Sequence, residues 1–422
     1  MSTGVDARDR RHSVGNIAVG DTASPGLATL PVGKDQAKAS RSRQRALSGS
    51  YRTVTGPDGR QTRVATPKAS GIRRLWYSYR ELTYNNTWIT PLVLMLGVLA
   101  AFGLSADKSE KNPLHKFICL SYRIEGSDPV MYGKGKKDFA FVAFYMIFFT
   151  FVREFCMQMV LRPIAYKCGI TKKGKVSRFM EQTYSMLYYG LSGPFGLYIM
   201  YYTPIWYFDT PAFYENYPHK SHEALFKIFY LGQAAFWGQQ SVVLMLQLEK
   251  PRKDFKELVF HHIVTIALIF LSYRFHFTWM GLAVYVTMDI SDFFLATSKT
   301  LNYLDSAITG PFFIMFMGVW IYLRHYLNLR ILYSILTEFA TVGPYELDWT
   351  TQQYKCWISQ IITFFLLFAL QLVNSYWLFL ILRIAYRYIF HSIQKDERSD
   401  DEDDEDEPTS PIDTPVEDPK KK

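Results

Sequence analysis

The chain has 422 residues, a formal net charge of +9 and an aromatic content of 17%. Large apolar side chains are concentrated between residues 76 and 390, in several runs of about 20 residues, which is the length that crosses a bilayer. This distribution excludes a water-soluble globular protein and predicts an all-α polytopic membrane protein. The basic residues lie in the N-terminal tail and in short loops between spans, which favours a cytosolic topology signal over nucleic-acid binding.

The two ends of the chain have a different composition from its middle. Residues 1–75 are polar and basic, and residues 391–422 are polar and acidic. Neither segment can bury enough apolar surface to offset the entropy of ordering it, so we predict two disordered cytosolic tails. No signal peptide is expected, and the first apolar run therefore also directs insertion.

Three serines in these tails match short kinase patterns. Ser13 and Ser48 each follow arginines at the fifth and third positions before them, which is typical of basophilic kinases. Ser399 precedes a run of acidic residues, which suits an acid-directed kinase. We predict phosphorylation at these serines, because the added charge beside a membrane surface would change activity or partner binding.

The region between the tails contains about eight predicted transmembrane helices. They run approximately over residues 88–104, 139–160, 186–206, 224–245, 258–275, 279–301, 307–326 and 361–386. We divide the region into two helices with their loops at 76–174 and a six-helix domain at 175–390. An even number of spans places both tails on one side, and the basic loops at 162–178 and 250–256 identify that side as the cytosol.

Four ionisable residues lie inside two of the predicted spans: His261, His262, Asp289 and Asp292. A charge at the centre of a membrane helix costs about 2.5 to 3.5 kcal/mol, so these residues need partners or a polar cavity. The helical rise of about 1.5 Å per residue places both pairs at a similar level in the cytosolic half of the membrane. Structural hydrogen bonds between helices would explain one such pair, but four residues at one level favour a functional site.

Helical spacing adds two supporting residues to this group. Tyr285 lies one turn before Asp289 and shares its face. Glu257 lies one turn before His261, where we expect it to hold the imidazole ring. Adjacent histidines point about 100° apart on a helix, so we expect one of them to be central and the other to support it.

The sequence offers no pattern typical of a metal site. The four cysteines have no CxxC spacing. Di-iron desaturases and hydroxylases need several separated histidine boxes, and this chain has one His-His pair. Fatty-acid elongases carry HxxHH, but Leu258 stands where the first histidine would be. We therefore expect neither a metal nor a cofactor.

The stretch from Lys250 to Tyr303 resembles the longevity-assurance motif of ceramide synthases. It contains Phe260-His-His-Ile-Val-Thr265 and Met288-Asp-Ile-Ser-Asp-Phe-Phe-Leu295. Similarity to the fungal members extends over most of residues 88–390, including Ser192-Gly-Pro-Phe-Gly196 and Gln352-Gln-Tyr-Lys-Cys-Trp357. Many animal members have histidine before the first aspartate of the motif, where this chain has Met288, so that position is not a necessary proton carrier here.

The resemblance implies a TLC-domain helical bundle or barrel that encloses the active site, in the membrane of the endoplasmic reticulum with both termini cytosolic. It implies a sphingosine N-acyltransferase that joins a long or very-long-chain fatty acyl group to dihydrosphingosine or phytosphingosine. Acyl-CoA is then a co-substrate, and the other partners are the sphingoid base, membrane lipids and a small single-span accessory subunit. A dimer is also compatible with it.

The family's essential histidines match His261 and His262, and its paired aspartates match Asp289 and Asp292. Amide formation from a protonated amine needs a base, and histidine has a suitable pKa. We favour His261 as the principal base or as an acyl acceptor that forms an acyl-imidazole, and both roles remain open. The aspartates would orient an imidazole, stabilise its protonated form or bind the incoming ammonium. A non-enzymatic lipid carrier or sensor is the alternative function, against which the intact motif argues.

The basic loop before the histidines has two interpretations. Lys250, Arg252, Lys253 and Lys256 either bind the phosphates of coenzyme A or act only as topology signals. If they bind phosphate, neutralising them raises the KM for acyl-CoA because an attractive charge is lost. Steady-state kinetics of the neutralised variant would measure this, and an unchanged KM would leave only the topology signal.

Overall fold

A computed structural model describes residues 51–55, 61–65, 71–246 and 254–391. The predicted phosphorylation sites Ser13, Ser48 and Ser399 lie outside the described residues, as do Lys250, Arg252 and Lys253. Strands β1 (Tyr51–Thr55) and β2 (Gln61–Ala65) form an antiparallel hairpin within the segment predicted to be a disordered tail. That expectation does not describe these ten residues.

Helices make up most of the described chain. In chain order they are α1 Gly71–Asn85, α2 Ile89–Leu104, α3 His115–Ile118, α4 Lys137–Phe155, α5 Arg162–Lys167, α6 Lys173–Tyr201, α7 Ala224–Met245, α8 Phe255–Arg274, α9 Thr278–Tyr303, α10 Thr309–Ile321, α11 Asn328–Thr337 and α12 Trp357–His391. Two π-helical turns, Cys156–Leu161 and Tyr322–Leu327, join α4 to α5 and α10 to α11.

A small antiparallel sheet lies beside the helices. Its strands are β3 (Arg123–Ile124), β4 (Met131–Tyr132) and β5 (His222–Glu223), paired in that order. A 3₁₀ turn at Pro211–Phe213 lies in the loop between α6 and α7. The sheet joins the loop that precedes α4 to the residues that lead into α7.

Five described helical segments are long and apolar enough to cross a membrane. They are Lys137–Lys167, Phe255–Arg274, Thr278–Tyr303, Thr309–Thr337 and Trp357–Phe390. A sixth span follows if Leu75–Asn85 and α2, which meet at a bend of 116°, are counted together. The prediction of an all-α polytopic membrane protein is confirmed.

The number of eight spans is not confirmed. Helices α6 and α7 occupy two of the predicted positions, but they are not among the five described segments that meet the length and hydropathy criteria. Polar side chains are the reason, since Glu181, Gln182, Gln233 and Gln240 all lie on these helices and are buried inside the protein. In the bundle α6 packs along α9, α7 packs against α4 and α8, and α12 packs against α8.

A buried ion pair connects the N-terminal part of the bundle to the rest. Lys227 Nζ on α7 lies 2.8 Å from Asp138 Oδ1 on α4, and the side chains are 0% and 4% exposed. Lys227 also donates to the carbonyls of Ser121 at 3.0 Å and Gly133 at 2.7 Å. Tyr273 on α8 donates to Asp138 Oδ2 at 2.8 Å. Three helices and the loop before α4 therefore meet at one polar cluster.

We expect Asp138→Asn to lower the thermal unfolding midpoint of the purified protein by several degrees. Losing one partner of a buried pair leaves the other charge uncompensated and costs about 3 to 5 kcal/mol. The matched control is Asp305→Asn, which removes the more exposed pair between Lys175 and Asp305 at 3.1 Å. Such pairs contribute about 0 to 1 kcal/mol, so equal shifts in the two variants would contradict this role for Asp138.

Candidate active site

An apolar cavity of about 220 Å³ lies between α7, α8, α9 and α12. His261 and Arg324 are in its wall at one end, and Leu347, Trp349 and Tyr354 from the loop before α12 are in its wall at the other. Along α8 the lining runs from His261 to the residue after the helix, Phe275, a distance of about 21 Å at 1.5 Å per residue. A linear hydrocarbon chain fits this shape and lining.

His261 is the histidine that faces the cavity. It is 2% exposed, and its ring packs edge-on against Trp237 and Trp377, with centroid distances of 5.9 and 5.0 Å. Its Nε2 lies 3.5 Å from the hydroxyl of Thr265, one turn later on α8. Its Nδ1 has no hydrogen-bond partner among the described residues. Two tryptophans and a threonine therefore fix the plane of the imidazole.

His262 has a different environment. It is buried, but it is not among the described residues that line the cavity. Its Nδ1 lies 3.0 Å from the carbonyl oxygen of Leu258 and donates a proton to it. Its Nε2 then carries the lone pair in the neutral ring and has no partner in the described part of the chain. The two ring centroids lie 5.6 Å apart, so His262 packs against the ring that faces the cavity.

Asp289 and Asp292 on α9 are both fully buried, but they bind different partners. The side-chain amide of Gln233 on α7 donates to Asp289 Oδ2, and Tyr188 on α6 donates to Gln233 Oε1 at 3.2 Å. Asp292 forms an ion pair with Arg324 in the second π-turn. The two carboxylates therefore connect α9 to different neighbours.

Arg324 is a site residue that the sequence analysis missed. Its Nε donates to Ser291 Oγ at 2.6 Å, its Nη1 to Asn374 Oδ1 at 3.1 Å, and its Nη2 to Asp292. The guanidinium carbon lies 4.3 Å from the ring centroid of Trp320. The energetic cost that identifies the aspartates applies equally to an arginine in an apolar run, and could have identified this one. The π-turn that carries Arg324 is a feature often found at functional sites.

The structure places the two supporting residues predicted from helical spacing, Tyr285 and Glu257, in different surroundings. Tyr285 lies in the cavity wall, 5.2 Å between ring centroids from Tyr230, and its hydroxyl has no partner among the described residues. Glu257 does not hold His261, because Nδ1 of that ring is unpartnered and Nε2 meets Thr265 instead. The half-exposed position of Glu257 near the start of α8 explains the difference.

Two further predictions concern the basic loop before α8 and the absence of a metal site. Lys256 is exposed in the first turn of α8, and Lys253 lies outside the described residues. Within the described ranges no group of three or more His, Cys, Asp or Glu side chains could hold a metal ion. The site therefore consists of imidazole, carboxylate, guanidinium and hydroxyl groups beside an apolar cavity.

Substitution of the two aspartates should destabilise the protein to different extents. Asp292→Asn leaves the buried guanidinium of Arg324 without a counter-charge, whereas Asp289→Asn keeps an oxygen that can accept from Gln233. We expect the first to lower the thermal unfolding midpoint by several degrees more than the second. Differential scanning fluorimetry of both purified variants would test this, and a larger loss for Asp289→Asn would contradict the pairing.

The known proteins that this chain resembles belong to one family. Residues 178–383 match the TLC domain family. The chain is 53% identical to the ceramide synthase LAG1 of Saccharomyces cerevisiae, over 94% of this chain and 93% of that protein. It is 52% identical to the sphingosine N-acyltransferase lac1 of Schizosaccharomyces pombe, over 75% of this chain and 81% of that protein.

A third relative is the sphingosine N-acyltransferase-like protein FUM17 of Gibberella moniliformis. It is 51% identical over 78% of this chain and 86% of its own length. These alignments reach well beyond the segment that matches the TLC domain, and the motif from which the resemblance was inferred lies within that segment. The chain belongs to the sphingosine N-acyltransferases, the TLC-domain family of ceramide synthases.

Proposed function

We propose that this protein is a ceramide synthase, which transfers the acyl group of a long or very-long-chain acyl-CoA to the amine of a sphingoid base. The relatives named as ceramide synthases and sphingosine N-acyltransferases support the reaction. The observation that carries the proposal for this chain is a buried imidazole, His261, at one end of an apolar cavity. By the predicted topology that end lies toward the cytosol, from which acyl-CoA arrives.

The cavity and His261 bind different parts of the acyl-CoA. The hydrocarbon chain lies among the apolar side chains, and the thioester lies at the imidazole. His261 removes a proton from the amine, the amine nitrogen bonds to the thioester carbon, and the carbon–sulfur bond breaks. The departing thiolate takes up the proton as CoA. In the alternative order, the unprotonated nitrogen of His261 displaces CoA, and the N–H proton of the ring passes to the departing thiolate to leave an acyl-imidazole. The amine then displaces the imidazole and returns a proton to the ring.

The charged groups around His261 suit different tasks. Arg324 balances the charge of Asp292, so Asp292 is not free to bind an incoming ammonium. Asp289 accepts from Gln233 through Oδ2 and lies beside the hydroxyl of Ser192, but it forms no ion pair within the described residues. Asp289 is therefore the better receiver for the ammonium of the sphingoid base, and Asp292 serves to hold Arg324 in the cavity wall.

The finer parts of the proposal rest on the resemblance described above. They are residence in the endoplasmic reticulum with both termini cytosolic, use of very-long-chain acyl-CoA, a single-span accessory subunit and the capacity to dimerise. Phosphate contacts from Lys253 and Lys256, and phosphorylation of the tail serines, belong to the same group. The exposed position of Lys256 in the first turn of α8, the helix that carries His261, supports the phosphate contact.

The direct experiment is an acylation assay of the purified protein with acyl-CoA and dihydrosphingosine, in which the amide and free CoA are both measured. We expect His261→Ala to lower turnover by about 10² to 10⁴, the usual contribution of a positioned base. His262→Ala should have a smaller effect, because its Nδ1 is bound to the backbone of its own helix.

A histidine outside the cavity provides the control. His115 lies on the short helix α3, and His115→Ala should leave turnover unchanged. Full amide formation by the variant that lacks both His261 and His262 would exclude the proposed chemistry. Absence of amide formation by the unaltered, folded protein would favour the lipid carrier or sensor instead.

A further inference from the structure

Tyr230 forms part of the cavity wall between the two ends of the cavity. It comes from α7, and its hydroxyl is hydrogen-bonded to Ser272 Oγ on α8. The same hydroxyl occupies the place that a Cβ would take at Gly281 on α9. All three residues line the cavity. The phenol ring can therefore lie against the wall only because residue 281 has no side chain.

The position of this contact along the cavity is set by the helices. Ser272 comes eleven residues after His261 on α8, a distance of about 16 Å along the helix axis. Beyond it the cavity continues to Phe275 and to Trp349 and Tyr354 in the loop before α12. A chain attached at His261 therefore reaches Tyr230 before it reaches the far end, and only a sufficiently long chain passes it.

The ring of Tyr230 has little freedom on its other sides. It is 1% exposed, and its centroid lies 5.6 Å from that of Tyr273, 5.2 Å from that of Tyr285 and 6.0 Å from that of Phe226. Packed interiors yield little to an added atom, so a ring displaced from Gly281 moves toward the open space, which is the cavity.

We propose that Tyr230, Ser272 and Gly281 form a gauge that sets which acyl-chain lengths enter the far part of the cavity. The ligand class is the straight hydrocarbon chain of a fatty acyl-CoA, and the inference rests on the proposed function. Chains that end before Tyr230 do not touch the gauge. Chains that extend past it need the ring to remain against Gly281.

The test compares Gly281→Ala with Gly232→Ala in the purified full-length protein. Gly232 lies on α7, where an added Cβ meets nothing within 4 Å, so it is a matched control. The measurement is kcat/KM for a saturated series from dodecanoyl- to hexacosanoyl-CoA. Apolar pockets discriminate single methylenes by about 10 to 200-fold. We expect the ratio for hexacosanoyl-CoA over the shortest accepted chain to fall at least about tenfold in Gly281→Ala and to stay unchanged in Gly232→Ala.

A second substitution tests the cause of the change. In the double variant Gly281→Ala/Tyr230→Leu the smaller side chain does not meet the new methyl group, so the ratio should return toward that of the unaltered protein. If Gly281→Ala does not fold, Ser272→Leu fills the same level of the cavity from α8 and should produce the same fall. An unchanged ratio, or an equal loss for all chain lengths, would overturn the gauge. A failure of the unaltered protein to acylate any sphingoid base would refute the proposed function itself.

Discussion

The ion pair between Arg324 and Asp292 is the interaction on which the polar interior of this bundle depends. Both side chains are 1% exposed in a region predicted to lie within the membrane, where water cannot replace a lost partner. The remaining donors of Arg324 bind Ser291 on α9 and Asn374 on α12. One guanidinium thereby connects α9, the second π-turn and α12, and α9 and α12 are two of the helices that enclose the cavity.

The cavity follows from this arrangement. α8 supplies the imidazole of His261, α9 supplies Tyr285 and Gly281, α7 supplies Tyr230, and α12 lines another side with apolar residues. Trp377 on α12 packs against His261, which sets the level of α12 relative to α8. At a separate point the pair of Lys227 and Asp138 connects α4 to α7. Charged groups thus join the helices, while apolar side chains line the cavity.

The sequence predicted the parts of the site that follow from local spacing and from the cost of burying charge. His261 and Tyr285 lie in the cavity wall, and the two aspartates are buried on α9 beside it. The orienting contact of Glu257 was wrong, since Thr265 is also one turn from His261 and spacing cannot choose between the two. Asn374 is fifty residues from Arg324 in the chain, and no periodicity relates them.

The membrane spans show the same limit of sequence reasoning. Hydropathy identifies a helix that faces lipid. Because α6 and α7 carry polar residues that face the protein interior, their mean hydropathy falls below that of a typical span although they pack within the bundle. The contact of Tyr230 with Gly281 joins α7 to α9. No sequence pattern singles out Gly281, and its contact with Tyr230 can be recognised only in the packed structure.

We place the acyl chain in the cavity with its thioester at His261 and its methyl end toward the loop before α12. The most direct measurement uses a very-long-chain acyl-CoA with a diazirine at the methyl end, bound to the purified protein, irradiated and mapped by mass spectrometry. We expect crosslinks to Leu347, Trp349 or Tyr354, which line the far end of the cavity. Crosslinks confined to helices that do not line it, such as α2 or α4, would exclude this placement of the chain.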